Sequence, residues 1–124
     1  MIFIDRSVPK GVAEAIRKVR SDVVWLEDKF RHDTPDEEWL PVAGQEGWLV
    51  VLRDKKVRTR PGEREKIMRH GVGCFILNQK QDPTRWQYLQ LLAGTLDQMQ
   101  EEFIKTPRPF IYTIDRNGAF RRVA

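Results

Sequence analysis

The sequence predicts an α/β domain whose central sheet is mainly parallel. Short apolar runs typical of strands alternate with stretches typical of helices along all 124 residues. The run from Trp48 to Leu52 is apolar on both faces, as expected for a central strand that is covered on both sides. The turn signal Asn117-Gly118 lies between two strand-like runs near the C-terminus. It predicts that the sheet closes with an antiparallel hairpin.

The chain is predicted to open with a strand, a helix and a second strand. The first strand spans Ile2 to Ile4, and a helix follows from about Pro9 to Val19. Pro9 suits the first turn of a helix because it has no N–H that would need an acceptor. The second strand is expected from Asp22 to Leu26, and the polar residues Glu27 to Asp33 then form a connection.

A second helix is predicted to begin within Thr34-Pro35-Asp36-Glu37. Thr34 at the N-cap, proline next and an acid at the third position match a capping box. The helix should stop between Gly44 and Gly47. Pro41 is expected to kink or shorten it, because proline removes an intrahelical donor.

The second half of the chain continues the alternation. A helix is predicted from about Pro61 to His70, a strand from Val72 to Leu77 and a long helix from about Pro83 to Ile104. Strands at Phe110 to Ile114 and at Ala119 to Val123 would form the hairpin. The three- and four-residue spacing of the long helix predicts one buried stripe made of Trp86, Leu89, Leu92, Leu96, Met99 and Phe103.

Composition favours one folded domain over residues 1–124. A hydrophobic content of 40%, with four Trp and six Phe, is enough for a core. Cys74 is the single cysteine, so an internal disulfide is excluded and a buried thiol is expected. Every apolar run is far shorter than the ~20 residues that cross a bilayer, and we expect a cytoplasmic protein with no membrane partner. The net charge of +4 permits attraction to nucleic acid without requiring it.

Three aspartates are placed where the carboxyl ends of parallel strands would bring them together. Asp5 follows the first strand, Asp36 begins a helix, and Asp54 follows the central strand. Each has an ordinary structural explanation as a helix cap, a residue favoured by the helix dipole, or a strand end. Jointly they predict a site for a divalent cation, because converging carboxylates repel one another unless a cation joins them.

The chain resembles the PIN-like ribonuclease domains, and among them the short VapC-like toxins of toxin–antitoxin systems. The resemblance rests on Phe3-Ile4-Asp5-Arg6-Ser7, on Asp36-Glu37-Glu38-Trp39-Leu40 with Ala43, and on Val50-Val51-Leu52-Arg53-Asp54-Lys55. It implies a three-layer fold and a metal-dependent endoribonuclease. It also implies that Asp5, Asp36 and Asp54 are the catalytic ligands of Mg²⁺ or Mn²⁺. RNA would be the substrate and a small antitoxin the protein partner.

Many PIN domains carry a further acid on a helical insertion that is almost absent here. Glu27, Asp28 or Glu37 could substitute for it, and Glu37 is the auxiliary candidate because it adjoins Asp36. The number of metal ions, one or two, therefore stays open. Whether two chains form a homodimer stays open as well.

Basic residues flank the predicted acids. They are candidates for contacts with RNA phosphates, although a solvated surface would explain them equally well. The residues are Arg6, Arg53, Lys55, Arg58 and Arg60. Trp39 and Trp48 could stack on bases, but burial in the core is the favoured interpretation.

Two other functions fit parts of the pattern. A PIN-like domain could bind RNA or a protein without cutting, since carboxylates can persist after catalysis is lost. A signalling receiver domain would use Asp54 as a phospho-acceptor. The receiver pattern also needs a lysine after a late strand, whereas Lys105 falls at the end of the long predicted helix.

Overall fold

A parallel sheet forms the centre of the computed structural model, which describes residues 1–53, 61–78 and 82–124. Its strands in chain order are β1 (Ile2–Ile4), β2 (Val23–Trp25), β3 (Leu49–Arg53), β4 (Gly73–Leu77), β5 (Phe110–Ile114) and β6 (Phe120–Arg122). Their spatial order is β2-β1-β3-β4-β5-β6. Every neighbouring pair is parallel except β5 and β6, which are antiparallel. The predicted α/β class, with its C-terminal antiparallel hairpin, is confirmed.

Helices cover both faces of this sheet. They are α1 (Lys10–Arg17), α2 (Leu26–Lys29), α3 (Asp36–Glu46), α4 (Pro61–Arg69) and α5 (Arg85–Lys105). One core cluster joins α1 and α5 to the sheet face that carries Ile2 and Ile4. A second cluster joins α3 and α4 to the opposite face, which carries Phe3 and Cys74. The alternation of side chains along each strand thus produces three layers.

The strand order reverses direction between β1 and β3. The chain places β2 on one side of β1 and then continues with β3 on the other side. At such a switch point the connections leave in opposite directions, so a crevice opens at the carboxyl ends of the two strands. Asp5, the residue after β1, lies at this position.

Helix α3 differs from its prediction at its start and in its middle. Its N-cap is Pro35 and no side chain caps it, so the predicted capping box at Thr34 is wrong. Thr34 is instead buried. The helix runs through Pro41 to Glu46 and ends at Gly47, whose φ is +69°. Buried residues on both sides of Pro41, Trp39 and Leu40 before it and Ala43 after it, hold the helix on the core although one donor is missing.

Two further predictions are corrected in the first half of the chain. The predicted second strand is shorter than expected, because Leu26 already begins a helix. The polar connection contains this short helix, α2, which the sequence did not predict. The Asp28 carboxylate accepts the Trp25 N–H at 2.8 Å, so a local side-chain cap replaces extension of the strand.

The stripe on α5 was predicted correctly except at its first member. Leu92, Leu96 and Met99 are buried, and Leu89 and Phe103 pack against the same core. Trp86 is 65% exposed, because the buried face of the helix begins only at Tyr88. The long helix actually starts with a capping box in which Thr84 accepts the N–H of Gln87.

The hairpin turn is longer than the two residues that Asn117-Gly118 suggested. Within the described part of the chain, positive φ is confined to glycines, and Gly118 has φ of +82°. Asn117 therefore does not take the conformation that a two-residue type I′ turn requires. Asp115 closes the turn instead, because its Oδ1 accepts the N–H groups of Asn117 and Ala119.

A close contact fixes α3 against the end of α4. A Cβ built on Gly44 would lie 1.8 Å from the carbonyl oxygen of His70. Only glycine leaves room for this approach. Asp36 lies on α3, and the charged residues after position 61 lie on α4. The contact between the two helices therefore sets the distance from Asp36 to the charged side chains of α4.

No helix within the described ranges combines the length and the apolar character needed to cross a membrane.

Candidate functional site

Asp5 is held firmly through one carboxylate oxygen and left open at the other. Its backbone N–H donates to the carbonyl of Val51 at 2.9 Å, which continues the pairing of β1 with β3. Its Oδ2 accepts the Ser7 N–H at 3.1 Å and the Ser7 hydroxyl at 2.7 Å. Its Oδ1 is buried and has no hydrogen-bond partner among the described residues. A buried carboxylate oxygen without a donor is costly, and a cation would satisfy it.

Asp36 lies close enough to Asp5 for their charges to interact. It is the first residue of α3 and is partly buried, and its Oδ1 accepts the indole N–H of Trp39 at 3.1 Å. Burial raises the pKa of Asp36, the charge of Asp5 raises it further, and the Trp39 hydrogen bond opposes both effects. The negative charge of Asp36 is therefore unfavourable in the absence of a nearby cation.

Glu63 is an acid of this site that the sequence did not single out. It lies in the first turn of α4, and its charge also raises the pKa of Asp36. A usable signal was present, because a helix that follows a parallel strand begins near the carboxyl edge of the sheet. An acid in the first turn of such a helix can therefore face the switch-point crevice. Its position within a strongly basic stretch of sequence concealed it.

Among the described residues, two basic side chains lie beside the acids. Arg6 donates to the backbone carbonyl of Thr34 at 2.8 Å, which ties the end of β1 to the start of α3, and its charge lowers the pKa of Asp36. Lys66 forms an ion pair with Glu37 and lies 3.9 Å from Glu63. Both carboxylates raise the pKa of Lys66, and Asp36 contributes as well. The site therefore mixes both signs of charge.

The auxiliary role predicted for Glu37 is not what its contacts suggest. Its carboxylate is bound to Lys66, its side chain is 57% exposed, and this hydrogen bond lowers its pKa. Asp28 is likewise engaged elsewhere, with the Trp25 N–H and with Arg17. Glu27 is exposed on α2. Glu63 is thus an acid whose charge reaches Asp36, whereas the Glu37 carboxylate is paired with Lys66.

Several predicted site residues lie outside the described residues. They are Asp54, Lys55, Arg58 and Arg60. Arg53 is described, and its guanidinium donates to Asp82 at 2.5 Å and lies 5.9 Å from the ring centre of Tyr88. Its side chain is only 18% exposed. Arg53 thus contacts α5 and the segment before it, while its role toward phosphate stays a prediction.

The two tryptophans near the site belong to the core, as favoured from the sequence. Trp39 is 1% and Trp48 9% exposed, and both rings pack on Phe3, with centroids 5.0 Å and 5.2 Å away. Neither ring is available to stack on a base. Cys74 is buried on the same face, where burial, Asp5 and Asp36 all raise its pKa. The thiol is therefore not a nucleophile.

The arrangement provides an incomplete set of oxygen ligands. Within residues 1–53, 61–78 and 82–124, no group of three acidic, histidine or cysteine side chains is close enough to hold a metal ion. The charge of Asp5 acts on Asp36, and the third predicted ligand is in a range that the structure does not describe, so their role as ligands stays a prediction. Carboxylate oxygens of this kind suit Mg²⁺ or Mn²⁺, which keep several waters and need few protein ligands.

A family model described as a PIN-like domain matches residues 1–79 of the chain. The match covers more than half of the 124 residues and extends from β1 through β4. It therefore includes Asp5, Asp36, Asp54 and Glu63. No curated protein and no solved structure matches the chain.

Proposed function

The chain belongs to the PIN-like domain family, and from this premise we propose that it is a metal-dependent endoribonuclease that hydrolyses RNA phosphodiester bonds. The family generally consists of nucleases. Hydrolysis at a cation would need no nucleophilic side chain, which agrees with the buried state of Cys74. Residues 1–79, which match the family, contain the acids on which the proposal depends.

The observation that supports this function most directly is the state of Asp5 and Asp36. One oxygen of Asp5 is buried without a donor, and the charge of Asp5 makes ionisation of Asp36 less favourable. Both features disfavour the metal-free site and would be relieved by one cation placed between the two carboxylates. The residues present therefore fit a hard divalent ion.

We assign Asp5 and Asp36 as ligands of Mg²⁺ or Mn²⁺, and Asp54 as the third predicted ligand. Glu63 would be a fourth acid beside the same ion. The bound ion would activate water and neutralise charge on the phosphate. Ser7 fixes the direction of the Asp5 carboxylate, and Trp39 fixes that of Asp36. Arg6, exposed beside Asp36, would contact a phosphate of the substrate.

Cleavage of a panel of end-labelled single-stranded RNAs tests the proposal. The wild-type protein should cut in Mn²⁺ or Mg²⁺ and not in a chelator. Asp5→Asn and Asp36→Asn should each lower the cleavage rate at least about a hundredfold, because loss of a charged ligand weakens both binding and activation of the ion. Asp33→Asn is the matched control, because Asp33 is a surface residue paired with Arg31. Equal rates in all four proteins would refute the assignment.

The same assay separates the alternative of a non-catalytic PIN-like module. Such a module would bind RNA or a protein and would cut nothing under any metal condition. A receiver domain would use Asp54 as its phospho-acceptor. It is a weaker rival because its pattern needs a lysine after a late strand, whereas Lys105 is the exposed last residue of helix α5. Stable labelling of Asp54 by a small phosphodonor would support that rival and oppose the nuclease.

We further propose that the protein is the toxin of a toxin–antitoxin pair and acts in the cytoplasm. The support is the resemblance of its strand-end motifs to the short VapC-like toxins. The antitoxin would block the crevice at Asp5 and Asp36. Expression should arrest growth, and the adjacent reading frame should restore it. If Asp36→Asn arrests growth as strongly as the wild type, the toxicity does not come from this site.

A further inference from the structure

A second concave surface lies on the α5 side of the sheet. It is a groove of about 980 Å³ between α5 and the loop that joins β5 to β6. A volume of this size is in the range of pockets that hold small organic groups. We call it the amide groove, after the side chains that line it: Asn78, Gln87, Gln90, Gln98 and Asn117.

The amides that line the groove are available to a ligand. In the described part of the chain, Asn78, Gln90, Gln98 and Asn117 make no side-chain hydrogen bond. Gln87 accepts the Thr84 N–H through its carbonyl oxygen and keeps its NH₂ group for other partners. An amide side chain both donates and accepts, as the edges of nucleic-acid bases do, and can therefore form paired hydrogen bonds with a base.

The charges at the groove do not suit a channel for phosphates. Asp82 lines it and pairs with Arg53. Asp115 lines it too, and its Oδ1 accepts two backbone N–H groups of the β5–β6 loop. Arg116 is the one basic lining residue among those described. Neutral polar groups therefore dominate, and these recognise bases better than a phosphate backbone.

Trp86 provides a flat surface beside the groove. It precedes Gln90 by four residues on α5, so the two side chains are neighbours on the helix surface. Trp86 is 65% exposed, whereas Tyr88, two residues later on the helix, is buried. An exposed indole next to hydrogen-bonding amides is the combination that binds unstacked bases in single strands.

A line of contacts connects the amide groove with the acidic site. Ser7 Oγ donates to Asp5 at 2.7 Å and accepts the Arg53 N–H at 2.9 Å. The Arg53 guanidinium then reaches Asp82, which lines the groove. Asp5 follows β1 and Asn78, which lines the groove, follows β4, so both sites lie along the carboxyl edge of the sheet, where one RNA strand would reach both.

We propose that the amide groove receives unpaired bases of the RNA strand whose phosphodiester bond is cut at Asp5 and Asp36. Trp86 stacks on a base at the mouth of the groove, and Gln90 and Gln98 bind base edges within it. The groove thus determines which sequence is presented to the acids. This inference depends on the proposed ribonuclease function, and the experiment below tests the two separately.

Binding of fluorescent single-stranded RNA is measured in a chelator, where cleavage does not occur. Trp86→Ala should weaken binding about tenfold, since stacking contributes ~1–3 kcal/mol per base. The double variant Gln90→Ala, Gln98→Ala should weaken binding and reduce the difference in affinity among oligo-A, oligo-U and oligo-C. Its salt dependence should stay unchanged, because no charge is removed. Gln45→Ala on α3 is the matched control, as Gln45 is exposed and away from the groove.

The outcomes separate the two claims. Unchanged RNA affinity and base preference in both groove variants would overturn the inference. Loss of binding to a protein partner by the same variants would not restore it. Cleavage that depends on Asp5 and Asp36 would survive that result. Absence of cleavage by the wild type would refute the nuclease and, with it, the claim that the bound strand is cut at Asp5 and Asp36. The three substituted side chains are exposed, so the melting temperatures of the groove variants should match that of the wild type.

Discussion

Ser7 binds Asp5 through two hydrogen bonds that both end on the same carboxylate oxygen. The other oxygen, Oδ1, stays buried and unpartnered among the described residues. A side chain that is oriented so firmly, with one oxygen kept open, is prepared to bind a cation without first rearranging. The relationship also joins β1 to β3, because the Ser7 hydroxyl accepts the N–H of Arg53.

Ser7→Ala should therefore impair metal binding and stability together. The Asp5 carboxylate would lose a donor and the partly buried Arg53 N–H its acceptor, which costs about 1–2 kcal/mol of unfolding free energy. Affinity for Mn²⁺ should fall at least about tenfold, as for other residues that orient a ligand. Calorimetric titration measures this. Ser21→Ala is the control, since Ser21 is exposed. Equal Mn²⁺ affinity in both variants would show that Ser7 does not orient the ligand.

Trp39→Phe should weaken metal binding while largely preserving the core. The phenyl ring can still pack on Phe3, but the donor to Asp36 is lost. Trp48→Phe removes an indole from the same cluster without touching Asp36. We expect about a tenfold loss of Mn²⁺ affinity for the first variant only. A similar loss in both would mean that packing, and not the hydrogen bond, explains the effect.

Gly44→Ala should destabilise the protein by about 2 kcal/mol or more, because the new methyl group would collide with the His70 carbonyl. Separation of α3 from α4 should also reduce RNA cleavage. Gly11→Ala, in an open position of α1, should instead raise stability by roughly 0.5–1 kcal/mol. Denaturant unfolding measures both changes. Destabilisation of equal size by the two substitutions would contradict the close contact.

Asp36→Asn should stabilise the metal-free protein at neutral pH. Burial and the charge of Asp5 raise the native pKa of Asp36 above its ordinary value of 3.8. Between the unfolded and the native pKa the native state binds the extra proton, so stability falls as the pH rises. Above the native pKa the whole of this loss of stability remains. The Asp36→Asn variant does not suffer it, because an amide side chain does not ionise.

Melting in a chelator across this pH range measures the effect. The stability advantage of Asp36→Asn should be absent at low pH, grow as the pH passes 3.8 and then level off. Glu38→Gln on the exposed face of α3 should show no such gain. An advantage that is already present at low pH would point to a cause other than ionisation.

The sheet and the pair of acids could be predicted from the sequence because strand patterns are local and the carboxyl ends of parallel strands share one edge. Trp86 and Asn117 show where local patterns fail. Helical spacing cannot tell where α5 leaves the sheet, and turn propensity cannot anticipate that Asp115 closes a longer loop.

Glu63 and Ser7 show the second limit. Glu63 acts on Asp36 through its charge from a distant part of the chain, and Ser7 holds Asp5 only because the turn after β1 brings the hydroxyl onto the carboxylate. Pro41 shows a third, since burial of Trp39, Leu40 and Ala43 outweighs a local helix-breaking signal. In each case tertiary packing decides what a local rule leaves open.

The most direct test of the account is the change in melting temperature on addition of Mn²⁺, compared among the wild type, Asp5→Asn, Asp36→Asn and Asp33→Asn. An ion that binds only the native state stabilises it by about 2.7 kcal/mol at a concentration a hundred times its Kd. We predict a clear rise for the wild type and for Asp33→Asn, and little or none for the other two. No rise in the wild type, or the same rise in all four proteins, would contradict a metal site at Asp5 and Asp36.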